Sequence, residues 1–284
     1  MSGAGDTPGW ELALIDSAWH GSEYDGLQGL ELMRDLGYEA VDLFVGFDPG
    51  RLSAGERDAK VAEVKAAGLP VISVVCTCLG LSDFNAAVRG YHIERACNVL
   101  DYGAEFETTR NLLFVPGEYM FQRRLLPPER EWDAVVDATA QVGRHAATHG
   151  LELAIELLPF EHAFVRTLDD LERLLDEVAL PNVKAAIDIS HLWLERIEPE
   201  ELDRFAGRIA QVHVADCDGA SHGDLPPGRG TTPFVPYLEA IARAGYRGSA
   251  SVELEFPPAG VPIRDWVEEA RAATARLLQA SGVR

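Results

Sequence analysis

Short apolar runs and apolar residues at helical spacing alternate along the chain from end to end. Glu11 to Ile15 (E-L-A-L-I) is compact enough for a strand, and Leu27, Leu30, Met33 and Leu36 then recur every three residues, marking a helix face that Gly37 ends. Ala40 to Val45 predicts a second strand carrying Asp42; a helix N-capped by Ser53 runs to about Ala67, and Pro70 to Val75 is the third strand. A helix over Phe84 to Tyr102 buries Val88, Ile93, Ala96, Val99 and Leu100, and is followed by a strand at Asn111 to Val115 and a helix from about Glu131 to His149. Leu151 to Leu157 is strand five; Thr167 caps a helix bearing Leu168, Leu171, Leu174, Leu175 and Val178. Val183 to Asp188, a short helix near Pro199 to Phe205, Ile209 to Val214, an irregular Asp/Gly/Pro-rich loop (Asp216 to Gly230), a helix at Val235 to Ala244, a strand at Ser249 to Leu254 and a helix at Ile263 to Leu278 complete the pattern.

Eight strand-then-helix units with nothing outside the alternation imply a parallel sheet with helical crossovers. In 284 residues they favour a single closed (β/α)8 TIM barrel over residues 1–284, with residues 1–9, small, polar and Gly-rich, as a loose tail. No G-x-G-x-x-G follows the first strand, and Gly228-Arg229-Gly230 is only a G-x-G after strand seven, which disfavours a dinucleotide-binding sheet.

Composition narrows the partners. A net charge of −21 argues against nucleic acid or an anionic membrane as the main target. The first residues lack the basic and apolar segments of a signal peptide and no apolar run approaches a membrane span, so a cytoplasmic protein is expected. Four cysteines, Cys76, Cys78, Cys97 and Cys217, are too few for a disulfide scaffold and are expected as free thiols.

In a barrel the C-terminal strand ends meet at one mouth. Strand five ends near Glu156, strand six at Asp188, strand seven near His213 and strand eight near Glu253, with separations of 32, 25 and 40 residues, each one β/α unit. Taken singly, Glu156 could pair with an arginine, Asp188 could cap the next helix, His213 could be a hydrogen-bonded core residue and Glu253 could be solvated. Taken together, three carboxylates and an imidazole would repel without a cation, and an oxygen-rich set with one nitrogen suits Mn²⁺, Mg²⁺ or Co²⁺ better than a thiolate zinc site. Trp19 and Trp193 are expected as apolar walls for a ring-shaped substrate, with His222, Cys76 and Asp42 as further residues of the mouth; helix C-terminal placement accounts for His145 and His149 without function.

The second half resembles the xylose-isomerase-like sugar phosphate isomerase/epimerase family: L-A-I-E at Glu156, A-I-D-I-S-H with Asp188 and His191, Q-V-H-V-A-D with His213 and Asp216, the P-G-R-G loop, and S-V-E-L-E with Glu253. Within it the chain looks closest to the 2-keto-myo-inositol (inosose) isomerase branch. The resemblance implies that Glu156, Asp188, His213 and Glu253 bind one divalent cation, Mn²⁺ foremost with Mg²⁺, Co²⁺ or Zn²⁺ as alternatives. It further implies that Glu156 and Glu253 move a proton α to a carbonyl through a metal-stabilised enediolate, and that His191 contacts a substrate oxygen. The implied activity is isomerisation or epimerisation of a sugar or keto-cyclitol, the partners a small carbohydrate or cyclitol and, in a family whose barrels often pair, a second copy of the chain. Two departures bear on substrate. The N-R-x-E run of the ketohexose 3-epimerases is replaced by Pro159-Phe160-Glu161-His162, making His162 a substrate-binding candidate. Their arginine six residues after the strand-seven histidine is replaced by Gly219, leaving Arg229 to reach the substrate or to serve the loop. Both leave room for dehydration of a keto-polyol, as in the inosose and 3-dehydroshikimate dehydratases. An abasic-site endonuclease is disfavoured, since its extra metal histidines fall on Cys76 and Pro116.

Overall fold

The computed structural model describes residues 9–117, 126–161, 163–254 and 260–284. Eight parallel strands, β1 (Glu11–Ile15), β2 (Ala40–Phe44), β3 (Val71–Thr77), β4 (Asn111–Val115), β5 (Glu152–Glu156), β6 (Val183–Asp188), β7 (Ile209–Val214) and β8 (Ser249–Val252), close into a barrel in sequence order, with β1 hydrogen-bonded to β8. Around them lie α1 (Leu27–Leu36), α2 (Ala54–Ala66), α3 (Ala86–Gly103), α4 (Pro128–Thr148), α5 (Leu168–Val178), α6 (Ile189–Leu194), α7 (Phe234–Arg243) and α8 (Ile263–Ala280). The chain is a (β/α)8 TIM barrel. Residues 1–8 of the expected tail lie outside the described residues, and among the described residues no helix is long and apolar enough to cross a membrane.

Period-two alternation divides each strand between two environments. Leu12, Leu14, Val41, Leu43, Leu112, Phe114, Leu153, Ile155, Val212 and Val214 face the helices in one continuous core, while Ile15, Val75, Leu113, Ala154 and Ala186 pack against each other in a separate cluster inside the barrel. Each fully buried large apolar side chain is worth about 1.5–3 kcal/mol, so the barrel is held from both sides.

Helix starts follow local chemistry. Ser53 and Glu56 form a reciprocal capping box before α2, and Thr167 with Asp170 another before α5. Gly37 ends α1 in the left-handed conformation, at φ 89°. Several elements differ from the sequence expectation. The residues after Asp188 form α6 at once, too short for its periodicity to show, and Pro199–Phe205 is a 3-10 helix. β8 stops at Val252, though the Glu253 N–H still donates to the Val214 carbonyl at 3.1 Å, holding that residue in the sheet's line.

Candidate metal centre and active site

Strand register explains why four distant residues meet. Glu156 lies opposite Ala186, two residues before Asp188; Asp188 lies opposite His213; and His213 lies opposite Ser251, two residues before Glu253. Residues two apart share a face, so all four side chains project to the same side at the C-terminal ends of β5 to β8. One ligand atom from each lies within 4.8 Å of those from the other three.

Asp188 does two things at once. Its Oδ1 accepts from the His191 N–H at 3.0 Å and from Ser190 Oγ at 2.7 Å, which caps α6. Its Oδ2 is buried and has no hydrogen-bond partner among the described residues. A buried carboxylate oxygen left unpaired costs about 1–3 kcal/mol or more unless a ligand satisfies it. The cap expected as the bland alternative is therefore real, and it leaves one oxygen for another purpose.

His213 is oriented from behind. Its Nε2 lies 3.2 Å from Asp42 Oδ2, and since a carboxylate oxygen only accepts, Nε2 carries the proton. Nδ1 is thereby turned towards the carboxylates, 2.7 Å from Glu253 Oε2 and 4.0 Å from Glu156 Oε1. Asp42 is itself fixed, accepting from Ser73 Oγ at 2.8 Å and Gln211 Nε2 at 2.6 Å. A carboxylate behind a ligating histidine is a common support at metal sites. Asp42, expected only as one residue of the mouth, is the carboxylate that orients His213, and a lone acid inside the apolar run A-V-D-L-F is its signal in the chain.

The electrostatics are those of a buried cluster with more carboxylates than imidazoles. Burial pushes the Glu156 carboxyl up to about 7, against the pull of His191 and His213 and with the repulsion of Glu253. Burial also opposes ionisation of Asp188, but His191, His213 and the two hydrogen bonds on Oδ1 outweigh it and the net direction is down. His213 is raised well above the usual imidazole range, because Glu253 and Asp42 overcome the burial that would lower it. Two imidazoles thus supply the positive charge that three carboxylates require. A divalent ion does this better, and the donor set fits one: three carboxylates, a nitrogen with its far side anchored, and an unpartnered Asp188 oxygen.

His191 is buried beside the cluster. Its Nδ1 donates to the Leu157 carbonyl at 3.1 Å and lies 3.6 Å from Glu156 Oε1, while Nε2 faces His222 Nε2 at 3.1 Å. The ring of Phe160 stands edge-on to both histidines, with centroids 6.2 and 5.2 Å away. His222 also lies 3.1 Å from Asp224 Oδ1. The β7 loop that delivers His222 is organised by Asp216, whose two oxygens accept from the N–H groups of Cys217, Gly228, Gly230 and Thr232. A Cβ on Gly230 would fall 2.1 Å from the Cys217 carbonyl oxygen, so only glycine fits there.

Several expected substrate contacts are placed elsewhere. Arg229 grips Glu269 on α8 with two hydrogen bonds of 2.7 and 2.8 Å and covers the Trp266 ring, a loop-anchoring role that removes it from the mouth. Trp19 is 1% exposed, wedged between Tyr24 and Gly29, and packs as core. Trp193 donates to Thr231 Oγ1 at 3.1 Å and stacks with Arg196, bracing α6 against the β7 loop. Cys76 packs on the helix side, with its Sγ 2.8 Å from Arg95 Nη1. His162 lies outside the described residues.

Residues 30–277 match the xylose isomerase-like TIM barrel family. The chain belongs to this family. It is 24% identical over 228 residues to the fructoselysine 3-epimerase of Shigella flexneri, an alignment covering 78% of this chain and 82% of that one. Over 161 residues it is 26% identical to the inosose dehydratase of Geobacillus thermodenitrificans, covering 49% of this chain and 52% of the relative. The crystal structure of the IolI protein with a bound zinc atom shares the fold, with a TM-score of 0.80, 16% identity and coverage of 95% of this chain and 99% of that one.

Proposed function

We propose that the chain is a divalent-metal-dependent isomerase or epimerase acting on a keto-sugar or keto-cyclitol. The observation that carries this reading is the buried, unpartnered Asp188 Oδ2 amid Glu156, His213 and Glu253. These four residues hold the ion, Mn²⁺ first by the hardness of the donors. When bound, the ion supplies the fixed positive charge that polarises a substrate carbonyl.

The chain's own residues handle the proton. Glu156 on β5 and Glu253 after β8 each have two oxygens, so one can ligate while the other accepts or returns a proton at the carbon next to the carbonyl. His191, with Nδ1 held by Leu157, keeps Nε2 directed to the opening, where it exchanges its contact with His222 for a substrate oxygen. Phe160 provides an apolar edge beside both imidazoles and limits water there.

One observation favours a second reading, a keto-polyol dehydratase. The His191–His222 pair places a proton donor on the open side, and a departing β-hydroxyl needs a proton. The test is metal analysis after supplementation with Mn²⁺ or Mg²⁺, followed by incubation with a panel of keto-sugars and keto-cyclitols. Products of unchanged mass with solvent deuterium incorporated support the isomerase; loss of water supports the dehydratase. A chain that takes up no divalent ion at these residues overturns both.

A further inference from the structure

A second cluster of metal-binding side chains lies on the outside of the barrel, where α3 and α4 pack side by side. Asp101 Oδ1 lies 2.7 Å from His145 Nε2 and 2.8 Å from His149 Nε2. The two histidines are four residues apart, so they share one face of α4 and its C-cap, with ring centroids 5.4 Å apart. All three residues sit near the C-terminal ends of their helices, which in a barrel is the end opposite the mouth. Side-chain exposures of 39, 32 and 30% for Asp101, His145 and His149 leave the cluster open to ions from solution.

One carboxylate oxygen serving two imidazoles is more than a salt bridge for a helix end requires. We propose that Asp101, His145 and His149 form a second divalent-cation site, selective for Zn²⁺ and similar borderline ions over Mg²⁺ and Mn²⁺. Two imidazole nitrogens and one carboxylate oxygen are a donor set for such ions, whereas the oxygen-rich set at the mouth suits harder ones. Tetrahedral Zn²⁺ with bonds of about 2.0–2.1 Å separates its ligand atoms by roughly 3.3 Å, so the present contacts need to open by about half an ångström. Exposed side chains on two helix ends can do this without disturbing the core. Without an ion each Nε2 donates to Asp101 Oδ1; to bind one, each imidazole gives up that proton and keeps its remaining proton on Nδ1, and the remaining coordination position faces water. Cys97, one turn before Asp101, does not join the set: burial and the Asp101 carboxylate push its thiol up to about 11, so it stays protonated. The bound ion ties the end of α3 to the end of α4 and stabilises the folded barrel by mass action.

The test compares Zn²⁺ stoichiometry by equilibrium dialysis for the full chain and for His145→Ala/His149→Ala, with circular dichroism confirming that both are folded. The expected result is one Zn²⁺ fewer per chain in the variant, and a smaller rise in melting temperature on adding Zn²⁺ than in the parent. Equal stoichiometry overturns the proposal. Because a difference is read, occupancy of the mouth does not affect the outcome; Asp188→Asn subtracts that other ion separately. If the double variant does not fold, His149→Ala alone is expected to weaken the corresponding affinity roughly tenfold or more, and an unchanged affinity overturns the site.

Discussion

The two ends of the barrel treat charge in opposite ways. At the N-terminal end the acidic residues have bases beside them: Glu11 on β1 meets Arg110 at 2.5 Å, Glu152 on β5 meets Lys184 at 2.5 Å, and Glu39, just before β2, meets Arg284 at 2.7 Å. All three pairs are partly exposed and neutralise one another, and the first two line a cavity that Gly248 and Ser249 also border. At the C-terminal end Glu156, Asp188 and Glu253 are gathered with histidines, and among the described residues no ion pair joins them to lysine or arginine. At the base each charge has its opposite beside it; at the mouth three carboxylates share two imidazoles.

The largest effect separating the two ends is expected at Asp188. Asp188→Asn keeps an oxygen to cap α6 but removes the charge, so the melting temperature should stay within a few degrees while bound metal is lost and turnover falls on the order of 10²–10³-fold. Retention of metal by this variant, measured by elemental analysis, would dissolve the contrast between mouth and base. A smaller change is expected at Asp42, which acts through His213. Asp42→Asn should weaken metal affinity by about 10–100-fold in a titration, since the imidazole loses the acceptor that sets its proton on Nε2.

Asp16 sharpens the comparison through pH. It follows β1 on the mouth side, accepts from the Phe44 N–H at 2.6 Å, and burial pushes its carboxyl up to about 7, with Asp42 and Asp25 adding repulsion. A folded-state value above the unfolded one means that its contribution to stability is fully present below about pH 4 and lost as pH rises through about 7. Asp16→Asn should flatten this part of the profile, changing the difference between the two chains by about 1–2 kcal/mol across that window once partial solvent access is allowed for. Parallel denaturation curves at pH 4 and 8 would refute the shift. The smallest effect belongs to the base: Arg110→Met should cost about 0–1 kcal/mol in urea unfolding and leave turnover unchanged, because an exposed pair contributes little.

Most of the architecture was legible in the chain. Short apolar runs located all eight strands, and β1, α1, β4, β6 and β7 have the bounds the pattern predicts, because their limits are marked by glycine or by abrupt changes of polarity. The four clustered residues were legible as well, since parallel strands in order bring their ends together whatever the details of packing. What escaped is informative. α6 was missed because six residues carry no readable period, and Arg229 and Trp19 were placed at the substrate because sequence position near a strand end does not reveal which way a side chain turns. His191 comes from α6, His222 from the loop after β7 and Phe160 from the loop after β5, and only folding shows that they form one wall.

The amino-acid sequence by itself determined the alternation of strands and helices, and with it the barrel and the convergence of Glu156, Asp188, His213 and Glu253, because side-chain periodicity is a local property of the backbone. Tertiary structure alone decided that Asp188 divides its two oxygens between a helix cap and an open position, and that Asp42 stands behind His213. It also decided that Asp101 draws together two histidines from the next helix. These depend on strand register and helix packing, which join residues far apart in the chain through distances that no spacing along it encodes.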